Sequence, residues 1–233
     1  MRFDVITIFP KIFDSYLGES ILRRAQEKKI VEVAMHNLRD FTRDKHKKVD
    51  DKPYGGGAGM VLQAMPILRA VERMRIKKQE LRSKKTRVIV LSAKGRQFNQ
   101  KMAYDFARKS GRLILNSGRY EGIDERAVKA LGAEEISIGP YVLTDGDIAA
   151  MAIISAVSRL IPGVIKLESL AEESHWNLLL KKEARDAAGK GLEYPHYTRP
   201  EVLEYKGRTY RVPKVILSGD HKKIAEWRKK HAR

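Results

Sequence analysis

The densest group of reactive side chains follows an apolar run. Leu113 to Asn116 reads LILN, and Ser117-Gly118-Arg119-Tyr120-Glu121-Gly122-Ile123-Asp124 comes directly after it. A cation, a phenol and a carboxylate set between two glycines can hold a small molecule, while the glycines let backbone N–H groups approach it closely. A tight strand-to-helix turn capped by Asp124 would explain the glycines and the aspartate. It would not explain the three functional side chains between them. A second polar loop, Pro140 to Ile148 (PYVLTDGDI), follows another short strand-like run ending in Ile138 and Gly139. In an open parallel α/β sheet, ligands gather outside the carboxyl ends of the strands, so these two loops delimit a candidate small-molecule site.

Other segments carry chemistry less specifically. Pro53-Tyr54-Gly55-Gly56-Gly57-Ala58-Gly59-Met60 is rich enough in glycine to bring backbone donors to an anion, but it lacks the Gly-Lys-Ser/Thr ending of a P-loop and opens no dinucleotide fingerprint. A hinge would use the same residues. Arg159 ends an apolar helical pattern, where it could offset the helix dipole or clamp a carbonyl or phosphate oxygen. Glu172-Glu173-Ser174-His175 reads on its own as a solvated charge run. Tyr194-Pro195-His196-Tyr197-Thr198-Arg199-Pro200 is stiff, aromatic and basic, suited either to unpaired bases and phosphates or to a packed corner.

The elements that must position these groups alternate. Residues 2–9 read as a strand, 12–28 as a helix with an apolar stripe, and 30–37 as a second strand. A long charged and glycine-rich loop leads to a helix over 63–85. A buried strand over 86–93, a Lys94-Gly95-Arg96 turn and a helix over 99–109 come next, and strands over 112–116 and 135–138 enclose the first loop. Helical spacing resumes from Gly146 to Leu160 until Pro162-Gly163 stops it. The alternation predicts an α/β fold with a mostly parallel sheet and helices on both faces. A composition change predicts a domain over 1–166, a linker over 167–191 and a small, mainly helical C-terminal domain over 192–233 with a helix near Ile224 to Lys230.

Composition narrows the partners. Lys and Arg number 47 against 29 Asp and Glu, a formal net charge of +18. That excess points to a polyanion such as nucleic acid, although a solvated basic face has the same composition. Cysteine is absent, which excludes disulfides, thiolate metal sites and a thiol nucleophile. The histidines show no metal-ligand spacing, and no segment approaches the roughly 20 apolar residues of a membrane span. No membrane partner and a cytoplasmic location are the corresponding expectations.

Taken in order, PYGGGAGM, SGRYEGIDER, SIGPYVLTDGDIAAM, VSRLIPGV, EYPHYTRPEV and VILSGDH resemble the TrmD-type bacterial tRNA (guanine-N1) methyltransferases of the trefoil-knotted SPOUT class. The match runs over nearly the whole chain. It implies methyl transfer from S-adenosylmethionine to N1 of the guanosine at tRNA position 37, next to the anticodon, by a homodimer with its active site at the subunit interface. It also implies a C-terminal trefoil knot in the catalytic domain, which no periodicity would suggest. The cofactor-contact positions it assigns are Ala93, Gly118, Tyr120 and Glu121, then Ile138, Gly139, Pro140, Tyr141, Val142 and Leu143, with Asp145 and Gly146. Tyr54, Gly57, Gly59, Met60, His196 and Arg199 fall in motifs assigned to the tRNA.

Guanine N1 carries a proton, so methylation there needs a base for that proton and a cation for the charge developing on O6. By the resemblance, Arg159 meets O6 and a linker acid of the other subunit takes the proton. That acid aligns with Glu173, where the family has Asp; Glu172 is the alternative. Pro140 and Asp145 stand where the family pattern SIGDYVLTGGE has Asp and Gly, Asp147 stands for its Glu, and Ala93 for a usual Pro. Residues 176–190 resemble an insertion, and the short run after Trp227 predicts a less extensive grip on the anticodon stem. The family reaction is associated with Mg²⁺, yet no carboxylate cluster in the sequence announces a metal site.

Overall fold

The computed structural model describes residues 1–76, 85–166 and 194–231. The chain divides into two compact units, Met1–Lys166 and Leu167–Arg233. The first is built on a five-stranded sheet in the order β2-β1-β6-β5-β7, with every pairing parallel. Its strands are β1 (Arg2–Thr7), β2 (Glu32–Asn37), β5 (Lys85–Gln97), β6 (Ser110–Ser117) and β7 (Glu134–Ser137), while β3 (Asp50–Asp51) and β4 (Val61–Leu62) form a separate antiparallel pair. β6 is buried along its whole length between β1 and β5, as its apolar run LILN requires of a strand covered on both faces.

Strand periodicity separates the two faces. Ile6, Val88 and Ile114 point toward α3 (Ala64–Ile76) and α5 (Glu125–Leu131), where they share a core with Ile67, Val71 and Leu131. Their neighbours Val5, Ile89 and Leu115 are equally buried on the opposite face, where α4 (Gln100–Lys109) and α6 (Asp147–Ser158) pack together. Helices on both faces of a parallel sheet are what the alternation predicted. The expected cap holds at the start of α5, where Asp124 accepts the Arg126 N–H, and at the start of α4 the Asn99 side chain accepts the Met102 N–H.

Several boundaries differ from the periodic reading. The helix expected over 12–28 is a 3-10 turn (Pro10–Phe13), α1 (Asp14–Leu17) and α2 (Ser20–Glu27), broken at Gly18 and at Ser20, whose φ is +52°. The Gln26 amide bonds the Leu17 carbonyl at 2.8 Å and so satisfies the end of α1. Lys94-Gly95-Arg96 is not a turn. β5 continues through it to Gln97 with a register shift against β7 between Leu91 and Arg96. The charges that suggest a loop instead face β7, with Lys94 3.3 Å from Glu135 and Arg96 3.9 Å from Glu134. Lys85, expected to end a helix, begins β5.

The described part of the second unit contains α7 (Lys214–Leu217) and α8 (His221–His231), together with a hairpin of β8 (Val202–Tyr205) and β9 (Arg208–Arg211). The hairpin leaves no periodic signal in the sequence because its strands are exposed throughout and carry no buried alternation. Its turn falls at Lys206 and Gly207, both with positive φ.

Candidate active site

Two loops at the carboxyl ends of β6 and β7 touch each other. The Gly146 N–H donates to the Gly118 carbonyl at 2.8 Å, and Arg119 and Asp145 form an isolated antiparallel bridge. The approach leaves no room for a side chain: a Cβ on Gly146 would lie 2.9 Å from the Gly118 nitrogen. Tyr120, between Arg119 and Glu121, has φ of +57°, a conformation that a bulky residue rarely adopts outside constrained sites.

These loops and the bulged end of β5 enclose a cavity of about 390 Å³. Leu91, Ile123, Ile136, Val142 and Leu143 supply apolar wall, while Lys94, Glu121, Glu135 and Asp145 supply charge. Of the expected cofactor positions, Ala93, Gly118, Tyr120, Glu121, Ile138, Tyr141, Val142, Leu143, Asp145 and Gly146 line it. Gly139 and Pro140 are not among the lining residues. Gly139 is buried, with the Tyr141 ring against the position of any added Cβ, and Pro140 is exposed. Hydrogen bonds from Lys94 to Glu125 and Glu135 hold its ammonium above the usual lysine range.

The glycine-rich loop runs beside this wall. The Glu121 N–H donates to the Met60 carbonyl at 3.0 Å, and the Leu62 N–H donates to the Gly122 carbonyl at 2.9 Å. An added Cβ on Gly59 would collide with the Glu121 carboxylate. Tyr54 and Gly57 extend away from it, and Tyr54 is 99% exposed.

Beneath the loops lies a network that sequence reasoning missed. Asp147 is fully buried; it accepts from Thr7 Oγ1 at 2.8 Å and from Arg119 Nη2 at 3.1 Å. The same Arg119 nitrogen reaches Asp145 Oδ2 at 3.2 Å, and the guanidinium lies 4.3 Å from the Phe9 ring centroid. Thr7 and Asp147 are 140 positions apart, so no local pattern could have paired them. The position of Arg119 inside SGRYEG was the available signal.

Arg159 does not line this cavity. It caps the end of α6 and lines a second cavity of about 440 Å³ with Tyr16, Glu19, Ile21 and Ser155. Glu172 and Glu173 lie outside the described residues. In the second unit His196 and Arg199 are exposed, and the His196 ring lies 4.7 Å from that of Tyr194. Among the described residues no group of three or more His, Asp or Glu could hold a metal ion, and no helix is long and apolar enough to cross a membrane.

A parallel α/β sheet with a glycine-lined cavity at its strand ends defines a ligand-binding enzyme fold. Comparison with known proteins makes this specific. The family model described as tRNA (Guanine-1)-methyltransferase TrmD matches residues 1–233, and the chain belongs to that family. It is 51% identical over 229 residues to a tRNA (guanine-N(1)-)-methyltransferase of Thermomicrobium roseum, a match covering 98% of this chain and 78% of the relative. A Carboxydothermus hydrogenoformans protein of the same name is 48% identical, covering 100% and 83%. One from Clostridioides difficile is 47% identical, covering 100% and 92%.

Proposed function

We propose that the chain methylates N1 of the guanosine at tRNA position 37, with S-adenosylmethionine as methyl donor, in a homodimer whose site spans two subunits. The observation that carries the cofactor reading is the cavity of about 390 Å³ at the ends of β5, β6 and β7. Its volume lies in the range of small-molecule sites, and its lining suits a ligand with an apolar ring system and a charged end. When bound, the cofactor supplies an electrophilic sulfonium methyl group. Gly118 and Gly146 let the backbone approach it, and the apolar residues of the wall exclude water. A trefoil-knotted path of the chain around this cavity is part of the same proposal.

Arg159 meets the negative charge that grows on guanine O6, and Glu173 of the partner subunit takes the N1 proton. With that proton removed, the lone pair on N1 is the nucleophile to which the bound cofactor would supply its methyl group. Orienting N1 for attack would supply much of the rate. Arg159 lines a second cavity with Tyr16, Glu19 and Ser155, apart from the cofactor loops. Tyr54, Gly57, Gly59, Met60, His196 and Arg199 contact the tRNA in this reading, and the net charge of +18 suits a polyanionic substrate. Among the described residues no group of three or more His, Asp or Glu fits Mg²⁺.

The test is incubation with labelled cofactor and unmodified tRNA transcripts that differ only at the nucleotide 3′ of the anticodon. Label should enter only transcripts with guanosine there. Incorporation whatever the nucleotide would refute the assigned specificity. Mixing Arg159→Ala and Glu173→Ala subunits should restore part of the activity; verified heterodimers without recovery would overturn the shared site.

A further inference from the structure

We infer that Asp145 is a positioning residue for the cofactor, acting through an ionic clasp with Arg119 that holds the two cavity loops in their binding geometry before any ligand arrives. The inference rests on the cofactor reading above and extends it to a residue at which this chain departs from the family pattern.

Three contacts converge on the Asp145 carboxylate. Oδ1 accepts the Asp147 N–H at 2.9 Å, closing the first turn of α6 from outside the helix. Oδ2 accepts from Arg119 Nη2 at 3.2 Å and from Thr144 Oγ1 at 3.2 Å. One side chain therefore ties the start of α6, the loop before it and the loop after β6. The carboxylate is also screened from water: the side chains of Asp145 and Arg119 are 11% and 20% exposed. An ion pair so placed is less weakened by solvent than one on an open surface.

Glycine is not needed at this position. Asp145 is not among the residues with positive φ, so a Cβ there strains nothing. The carboxylate occupies the N-cap role for which Gly146, the residue immediately before α6, has no side chain. Replacing a glycine that could adopt many conformations also narrows the loop's freedom before binding. Pro140 acts in the same direction at the other end of the loop by fixing its own φ. A loop already ordered when the ligand arrives loses less entropy on binding.

The clasp has a fixed anchor. The same Arg119 Nη2 donates to buried Asp147, itself bonded to Thr7 at the end of β1, and the guanidinium lies against Phe9. Asp145 thus ties the 140–147 side of the cavity to groups that the sheet holds in place.

Two variants separate this role from simple folding. Asp145→Asn keeps an acceptor for the Asp147 N–H but removes the charge facing Arg119; Asp145→Gly removes both. In the cofactor-free full-length protein, amide exchange across residues 140–147 should quicken in Asp145→Asn and more so in Asp145→Gly, with exchange in β6 unchanged. In calorimetry, S-adenosylmethionine should bind Asp145→Asn about fivefold more weakly than wild type, in line with the loss of a partly screened ion pair. The KM for tRNA should stay within about twofold because the clasp touches only the cofactor side. Unchanged exchange would overturn the clasp. Faster exchange with unchanged cofactor affinity would reduce Asp145 to a structural residue and overturn its positioning role. Failure of wild type itself to bind S-adenosylmethionine would overturn the cofactor reading, and the positioning role with it.

Discussion

Two clusters of the same ingredients, buried aspartate and arginine, sit on opposite faces of one sheet and do different work. Toward the start of β1, fully buried Asp4 is held by Arg112 Nε at 2.5 Å, Arg2 Nε at 3.0 Å and His36 Nε2 at 2.7 Å. Arg112 also donates to the Met74 carbonyl at 2.7 Å, joining α3 to β1 and β6. Beyond the end of β1, buried Asp147 shares Arg119 with Asp145 at the edge of the cavity. The first cluster ties elements into the core through Arg112, only 6% exposed, while its outer partners Arg2 and His36 are 32% and 24% exposed. The second is closed at Asp147 and open at Asp145, so a ligand in the cavity can feel it. An ion cluster that links core elements is structural; one at the edge of a cavity can preorganise a site.

The contrast can be broken most forcefully at Arg112. Arg112→Leu would strand a buried carboxylate and should lower unfolding stability by about 3–5 kcal/mol in urea titration, with cofactor affinity per folded molecule unchanged. A loss of cofactor affinity at full folding would show that the two clusters are not separate in function. Thr7→Val should cost less, about 1–3 kcal/mol, because Asp147 loses one of its buried hydrogen bonds. Unlike Arg112→Leu, it should also weaken cofactor binding, read by calorimetry, because Asp147 anchors Arg119.

Acid sharpens the comparison further. Burial alone would raise the Asp4 pKa, but hydrogen bonds from His36, Arg112 and Arg2 outweigh it and hold the carboxyl well below the usual range. A group depressed in the folded state contributes stability above its unfolded value and loses it as pH falls toward the folded one. Unfolding stability should therefore drop below about pH 4, and the drop should be shallower in Asp4→Asn. Equal slopes in urea midpoints against pH would remove Asp4 as the cause. The smallest effect is expected at Lys94, whose side chain is 64% exposed. Lys94→Ala should leave the thermal midpoint unchanged within error, because solvent screens its pairs with Glu125 and Glu135.

Local rules located much of this. The buried run of β6, the helix cap at Asp124 and the strand–helix alternation follow from patterns within a few residues. They failed where exposure or a break overrode the pattern, as at Gly18, in the bulged end of β5 and in the exposed β8–β9 hairpin. The cavity loops were legible because glycines and functional side chains follow buried strands directly. The network below them was not, because strand order, rather than sequence spacing, decides which distant side chains meet.

By itself the sequence determined the α/β class, the two polar loops at strand ends, the basic charge and, through its ordered motifs, the family. Each of these is encoded in neighbouring residues or in total composition. Only the tertiary structure decided that Arg119 joins Asp145 to Asp147, that Thr7 closes the chain of contacts from 140 positions away, and that Arg159 faces a different cavity from the cofactor loops. Those facts depend on β6 lying between β1 and β5, an order that sequence position does not reveal.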